Sequence, residues 1–166
     1  IATCHRLSQE NFIALYEMYK EYLAQNISID KAMQEKLFAT KEIKVLQALA
    51  TNENLDSKLL KQLFTDEKLL PYLYTNPKTP EEKLYEALKD KRWHLALAEN
   101  PNSPSELLQE LAKNEDAEVL GALAKNVKTP IDVLYQLQLD SRFERDVKEN
   151  QSFGTHIQTH NIGWLQ

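Results

Sequence analysis

The sequence predicts an all-α fold: an α-solenoid of about five to six helical-pair repeats of 24–26 residues, with an N-terminal capping helix. Three observations predict it. An Asn stands at 26, 52, 76, 100, 126 and 150, at intervals of 26, 24, 24, 26 and 24 residues. Apolar residues keep fixed distances from it, with Tyr19, Val45, Leu69, Trp93, Val119 and Phe143 seven before and Leu23, Leu49, Leu73, Leu97, Leu123 and Val147 three before. The vocabulary is helical, rich in Leu, Ala, Lys and Glu, and three glycines are too few for an all-β chain of many tight turns.

In chain order, Ser8 is a candidate N-cap for a helix from Gln9 that carries Phe12, Leu15, Tyr16, Tyr19 and Leu23 at helical spacing. Residues 1–25 are expected to shield the first repeat, because the ends of a repeat stack need a polar outer face. Residues 26–150 are the repeats. A short helix, B, ends at each Asn, often with Ala two before it (Ala24, Ala50, Ala98, Ala124). A second helix, A, follows the turn. Three copies begin with Thr79-Pro80, Ser103-Pro104 and Thr129-Pro130, where the hydroxyl is expected to cap, proline to take the first helical position and an acid to close a capping box. Asp30 and Asp56 are expected to cap the earlier copies. Leu60, Leu84, Leu108 and Leu134, then Leu37, Leu63, Ala87, Leu111 and Leu137, are the inward positions of A.

Both two-residue insertions fall between A and B, near Thr40–Ile43 and Asn114–Ala117, so the phase of each helix survives. Pro71 sits inside one B helix and should shorten it. The last copy decays: Gly154 replaces the proline, and His156 to Gln166 show no clear period. Residues 151–166 are expected to form a C-terminal cap, with Ile157, Ile162, Trp164 and Leu165 covering the stack, or to lead into a further repeat. Because the chain opens on Ile1, a longer precursor or a fragment is expected.

Asn suits a helix C-terminus because it tolerates the left-handed conformation, and its amide can bond the turn that follows. Stacked copies can also bond from turn to turn. The repeated Asn therefore reads as a structural ladder rather than a ligand site.

A period near 24 first suggests leucine-rich repeats, which need apolar residues five before and two after the Asn. Those positions hold Gln47, Pro71, Leu95, Gly121 and Arg145, then Asn54, Lys78, Asn102, Lys128 and Ser152, so inward-alternating strands are not encoded. The pattern over residues 23–150 instead resembles the leucine-rich repeat variant (LRV) family, best at Leu69–Pro80 and Trp93–Pro104. Asp66, Asp90 and Asp140, with Asn114 in one copy, match that family's acid before helix B. The resemblance implies a superhelix alternating α-helices with shorter, often 3₁₀, helices. The family's Arg position holds Leu46, Leu70, His94, Leu120 and Glu144, so its charged ladder is missing. The iron–sulfur cluster known in that family is not carried over to a chain whose only cysteine is Cys4.

The formal charge of −5 and pI near 5.4 create no whole-molecule field for nucleic acid or anionic membranes. One cysteine excludes an internal disulfide and fits a reducing, cytoplasmic setting. No apolar run approaches the ~20 residues of a membrane span. No HExxH, CxxC, GxSxG or phosphate-binding Gly loop is present, so no enzyme, cofactor or metal is expected. Cys4 beside His5, and His94 with His156 and His160, read as unremarkable polar residues. Lys89, Lys91, Arg92, Trp93 and His94 look basic and aromatic, and Arg142 and Arg145 echo them; the glutamates read as solvated surface.

The function expected is therefore a non-enzymatic scaffold for a protein or peptide partner. Its anchors are expected at Tyr85, Arg92, Tyr135, Arg142 and Arg145, because aromatic and Arg side chains make good hot spots. The alternative is a nucleic-acid-binding or repair-type module on a HEAT-like scaffold, which requires a basic concave groove holding an acid and an aromatic.

Overall fold

The structure, a computed structural model, describes residues 8–160. The readings at Cys4, His5, Ile162, Trp164 and Leu165 lie outside the described residues. Every regular element among the described residues is a helix. The chain divides into two compact units, Ile1–Thr79 and Pro80–Gln166.

The first unit holds α1 (Gln9–Gln25), α2 (Lys31–Phe38), α3 (Ile43–Ala50), α4 (Ser57–Leu63), a 3₁₀ turn (Glu67–Leu69) and α5 (Leu70–Thr75). Its core is built from the positions anticipated: Leu23, Leu49 and Leu73 from helices B and Leu37, Leu60 and Leu63 from helices A, all buried. Ser8 caps α1 by accepting from the Asn11 N–H, and Asp30 and Asp56 cap α2 and α4. Although α1 is one long helix, it kinks at Tyr19, where φ is −134° and ψ 32°. Phe12 and Leu15 lie as far from Ser8 as Leu60 and Leu63 lie from Asp56, so the first half of α1 is in the register of a helix A. Its second half ends on Leu23, Ala24 and Asn26, as a helix B does. The capping helix is thus an A and a B fused at a bend. At the bend Tyr19, the apolar residue seven before Asn26, is 40% exposed, so that position does not face the core in this copy.

Pro71 does not break its helix. A 3₁₀ turn precedes α5 and puts Pro71 in the helix's first turn, where the missing N–H costs no bond. The insertions account for the alternation of helix type. Two of the copies without one enter B through a 3₁₀ turn and the third, before α11, through a plain turn, whereas the copies with one make longer B helices of a single α type, α3 here and α9 in the second unit. The first insertion also places Lys41 at φ 57°, the only positive φ of a non-glycine residue among those described.

The second unit holds α6 (Glu81–Ala87), a 3₁₀ turn (Lys91–Trp93), α7 (His94–Glu99), α8 (Ser105–Leu111), α9 (Ala117–Lys125), α10 (Ile131–Gln138), α11 (Glu144–Glu149) and α12 (Gln151–Thr159). Leu97, Leu123 and Val147 from helices B, and Leu84, Ala87, Leu108, Leu111, Leu134 and Leu137 from helices A, are buried. Trp93, the apolar residue seven before Asn100, is only half-buried. The region after Asn150 is more regular than its sequence suggested: Asn150 itself accepts from the Ser152 and Phe153 N–H groups and starts α12 at once, with Phe153 buried and the helix running past Gly154 to Thr159.

The capping scheme read at the Thr/Ser-Pro pairs is overturned. The prolines are the N-caps, with extended backbone (Pro80 φ −59°, ψ 138°), and no side chain caps α6, α8 or α10. The preceding hydroxyls turn backward instead. Thr79 donates to the Leu73 carbonyl, Ser103 to Leu97 at 2.6 Å and Thr129 to Leu123 at 2.7 Å. Each hydroxyl is buried and ties the turn to a carbonyl in the last turn of the B helix just completed; the Leu73 and Leu123 carbonyls accept in addition the N–H of the Asn three residues on. Ile29 and Leu55 fill the same place in the first two copies, and there the next residue is a capping Asp. The chain thus uses two solutions: apolar residue plus capping Asp in the first two copies, backward hydroxyl plus Pro in the next three.

The six asparagines have a single role. Each side-chain carbonyl accepts the N–H two residues on, at 2.8–2.9 Å. In the first unit Asn52 Nδ2 donates to the carbonyls of Ala24 (2.7 Å) and Asn26 (3.1 Å), and Asn76 Nδ2 to those of Ala50 and Asn52. In the second unit Asn126 reaches Ala98 and Asn100, and Asn150 reaches Ala124 and Asn126. The asparagines are buried. Contrary to the left-handed conformation expected, the five at helix ends with φ between −72° and −68° are extended. That geometry directs the amide at two carbonyls of the preceding turn.

Candidate functional site

Each loop from A to B is pinned by a second series of side-chain acceptors: Thr40, Asp66, Asp90, Asn114 and Asp140 each accept the N–H two residues on. In two copies the pinned loop carries Asp-x-Arg-aromatic. Arg92 Nε and Nη2 donate to Asp90 Oδ2 at 2.9 and 2.7 Å, with the guanidinium 5.1 Å from the Trp93 ring. Arg142 repeats this on Asp140, 5.0 Å from the Phe143 ring. Arg145, whose side chain is 86% exposed, pairs with Glu149 at 2.9 Å. All three arginines singled out from the sequence are therefore engaged by carboxylates of their own loop or helix.

The pairing has an electrostatic signature. Side-chain and backbone hydrogen bonds from Arg92 hold the Asp90 carboxyl below its ordinary value, and Arg142 does the same to Asp140. Glu149 raises Arg145, and Asp140 raises Arg142. A depressed folded-state pKa means that the stabilisation is present at neutral pH and is lost as pH falls through the folded value. A carbon-detected NMR titration should therefore find Asp90 and Asp140 ionising below the ordinary aspartate value. Replacing Arg92 by Ala should move Asp90 upward and leave Asp140 alone.

Tyr85 and Tyr135 sit on helices α6 and α10, outside the two loops themselves. Tyr135 is half-buried against Phe153, with ring centroids 5.2 Å apart, and against His156 at 6.0 Å. Tyr85 is 38% exposed, and partial burial with the nearby Glu106 and Glu81 carboxylates raises its phenol. It lines an open groove of about 620 Å³ with Lys89, Lys91, Lys113, His94 and Asn114. His94 is committed within that groove. The Asn114 Oδ1 already accepts from Asp116, so its Nδ2 donates to His94 Nδ1 at 2.8 Å, and His94 Nε2 carries the proton toward the Leu88 carbonyl at 2.9 Å. Both ring nitrogens being used, His94 has none left for a metal. No group of three or more ligating side chains occurs among the described residues.

A second groove, of about 670 Å³, runs across α7, α9 and α11. Its floor is made of small and apolar groups: Leu95, Ala98, Ala117, Gly121, Ala122 and Phe143. Glu99, Glu118, Lys125, Arg142 and Asp146 stand around it. Lys125 pairs with Asp146 at 3.4 Å and Arg142 with Asp140, while Glu99 and Glu118 make no ion pair among the described residues. Gly121 deepens this groove. It occupies the place held by Gln47, Pro71, Leu95 and Arg145 in other copies. Its φ is not positive, and an added Cβ would meet nothing closer than Phe143 Cε1 at 3.7 Å. Neither backbone nor packing requires glycine there, so Gly121→Ala should stabilise the chain by about 0.5–1 kcal/mol in urea denaturation. Of the five residues chosen from the sequence only Arg142 borders this groove. Gly121, Glu99 and Glu118 were passed over, although Gly121 announces itself as the one glycine in a repeated helix position.

Fold and grooves together define an all-helical protein with an open, small-residue groove held between hydrogen-bonded turns. Comparison with protein-family models, curated proteins and solved structures finds no significant match.

Proposed function

We propose that the chain is an α-solenoid of LRV type acting as a non-enzymatic scaffold that grips a protein or peptide. The observation that carries this reading is the groove across α7, α9 and α11, whose helices are held in register by Asn126 and Asn150 and whose floor is apolar and open. Such a floor suits side chains of an extended partner. The shared register of asparagines, inward leucines and pinned loops in both units supports the solenoid. The nucleic-acid alternative is weaker on the same evidence of charge: Arg92, Arg142 and Arg145 are paired with carboxylates, and acids outnumber bases around the groove. Panning a displayed random-peptide library on the full chain tests the reading. Enriched peptides that bind the wild type and lose binding to a Leu97→Ala variant support it. Duplex DNA binding at low salt with a steep salt dependence, and no enriched peptide, overturns it.

A further inference from the structure

We propose that the groove above α9 docks a peptide segment presenting one apolar side chain beside a cationic one, the apolar group entering the dent at Gly121 and the cation facing Glu99 and Glu118. This deepens the scaffold reading and rests on it. Two independent features of the groove point the same way. The first is shape. Gly121 gives up helix stability that an alanine would supply, and the fold asks for no glycine at that place. What its missing side chain provides is depth, beside Ala117 and Ala122 on the same helix and above the Phe143 ring. A pocket of that make suits a branched aliphatic or thioether side chain. The second is charge. Once Lys125 is matched by Asp146 and Arg142 by Asp140, the groove retains two carboxylates, Glu99 and Glu118, with no cation of the described residues paired to them. Opposite charge is what such a rim selects, through both on-rate and register.

Three synthetic peptides of equal length are the probes: a leucine flanked by arginines, the same leucine flanked by aspartates, and an alanine flanked by arginines. Fluorescence anisotropy on the full chain should rank the first above the other two by about tenfold. Gly121→Leu installs the residue type that the neighbouring copy carries at this place, Leu95, and should weaken the first probe about tenfold with an unchanged circular dichroism spectrum. The double variant Glu99→Lys with Glu118→Lys should reverse the preference toward the aspartate probe, a readout that loss of folding cannot imitate. Tyr85→Ala, in the other groove, should leave all three affinities alone. Equal binding of the arginine probe to wild type and Gly121→Leu, or a wild-type preference for the aspartate probe, overturns this assignment and leaves the scaffold reading standing. Failure of every probe, together with a panning that enriches nothing, overturns both.

Discussion

Asn52→Ala should cost about 3 kcal/mol of unfolding free energy, far more than one side-chain truncation at a turn ordinarily does. Three bonds disappear together: two donated by Nδ2 to the carbonyls of Ala24 and Asn26, and one accepted from the Asn54 N–H. The site is closed to water, with Asn52 1% exposed, so water cannot replace the lost bonds, and a buried group left without a partner costs about 1–3 kcal/mol, although the Asn26 carbonyl keeps its bond from the Ile29 N–H at 3.3 Å. Asn52→Asp separates this account from simple packing. The carboxylate has the same shape and still accepts from Asn54, but it sets a negative oxygen against two carbonyl oxygens. At neutral pH it should therefore be less stable than the alanine variant. Those carbonyls favour the protonated acid, so the folded-state pKa lies above the ordinary carboxyl value. The folded state then binds more protons than the unfolded one, and stability recovers as pH falls from the folded pKa toward the unfolded one. Urea denaturation at neutral and mildly acidic pH reads both effects. An aspartate variant as stable as the wild type at neutral pH would show that the ladder is not held by donation from Nδ2.

The same amide geometry shows where sequence reasoning reached and where it stopped. Periodicity identified the buried apolar residues three before each Asn, the inward apolar residues of helices A and the Asp caps at 30 and 56, because each is dictated by local spacing and by the need to bury one face of a short helix. The backbone at the asparagines was misjudged for a physical reason. Local propensity favours a left-handed Asn after a helix, but two carbonyls of the preceding turn offer its amide stronger partners when the chain stays extended. Thr79, Ser103 and Thr129 were misread for a similar reason. Before proline a hydroxyl looks like a cap, whereas a carbonyl at the end of the finished helix B competes for it and wins. At the site, Arg92 and Arg142 were chosen as free anchors although Asp90 and Asp140 stand two residues earlier. A pinned turn closes that distance, and only the turn's geometry reveals it. The groove needs three helices at once, and no single segment of sequence records it. Gly121 was its one legible mark.

Leu97→Ala is the other change with a large effect, about 2–5 kcal/mol, and its distribution matters more than its size. Leu97 is fully buried, so truncation leaves a cavity inside α7, where the Leu97 carbonyl also receives the Ser103 hydroxyl. In a globule with one shared core such a cavity lowers the protection of every element together. In a chain of repeats each copy is stabilised chiefly by its neighbours, so the deficit should fall first on copies that touch the lesion. Native-state hydrogen exchange should therefore show α7 and α9 losing protection most, α11 less, and α2 and α3 of the first unit least. The asparagine bonds sharpen the expectation. Asn126 Nδ2 holds the Ala98 and Asn100 carbonyls at the end of α7, so loosening α7 withdraws partners from the turn that follows α9 before it reaches Asn150. Uniform loss across both units would mean that the copies share one cooperative core, and would count against the proposed solenoid.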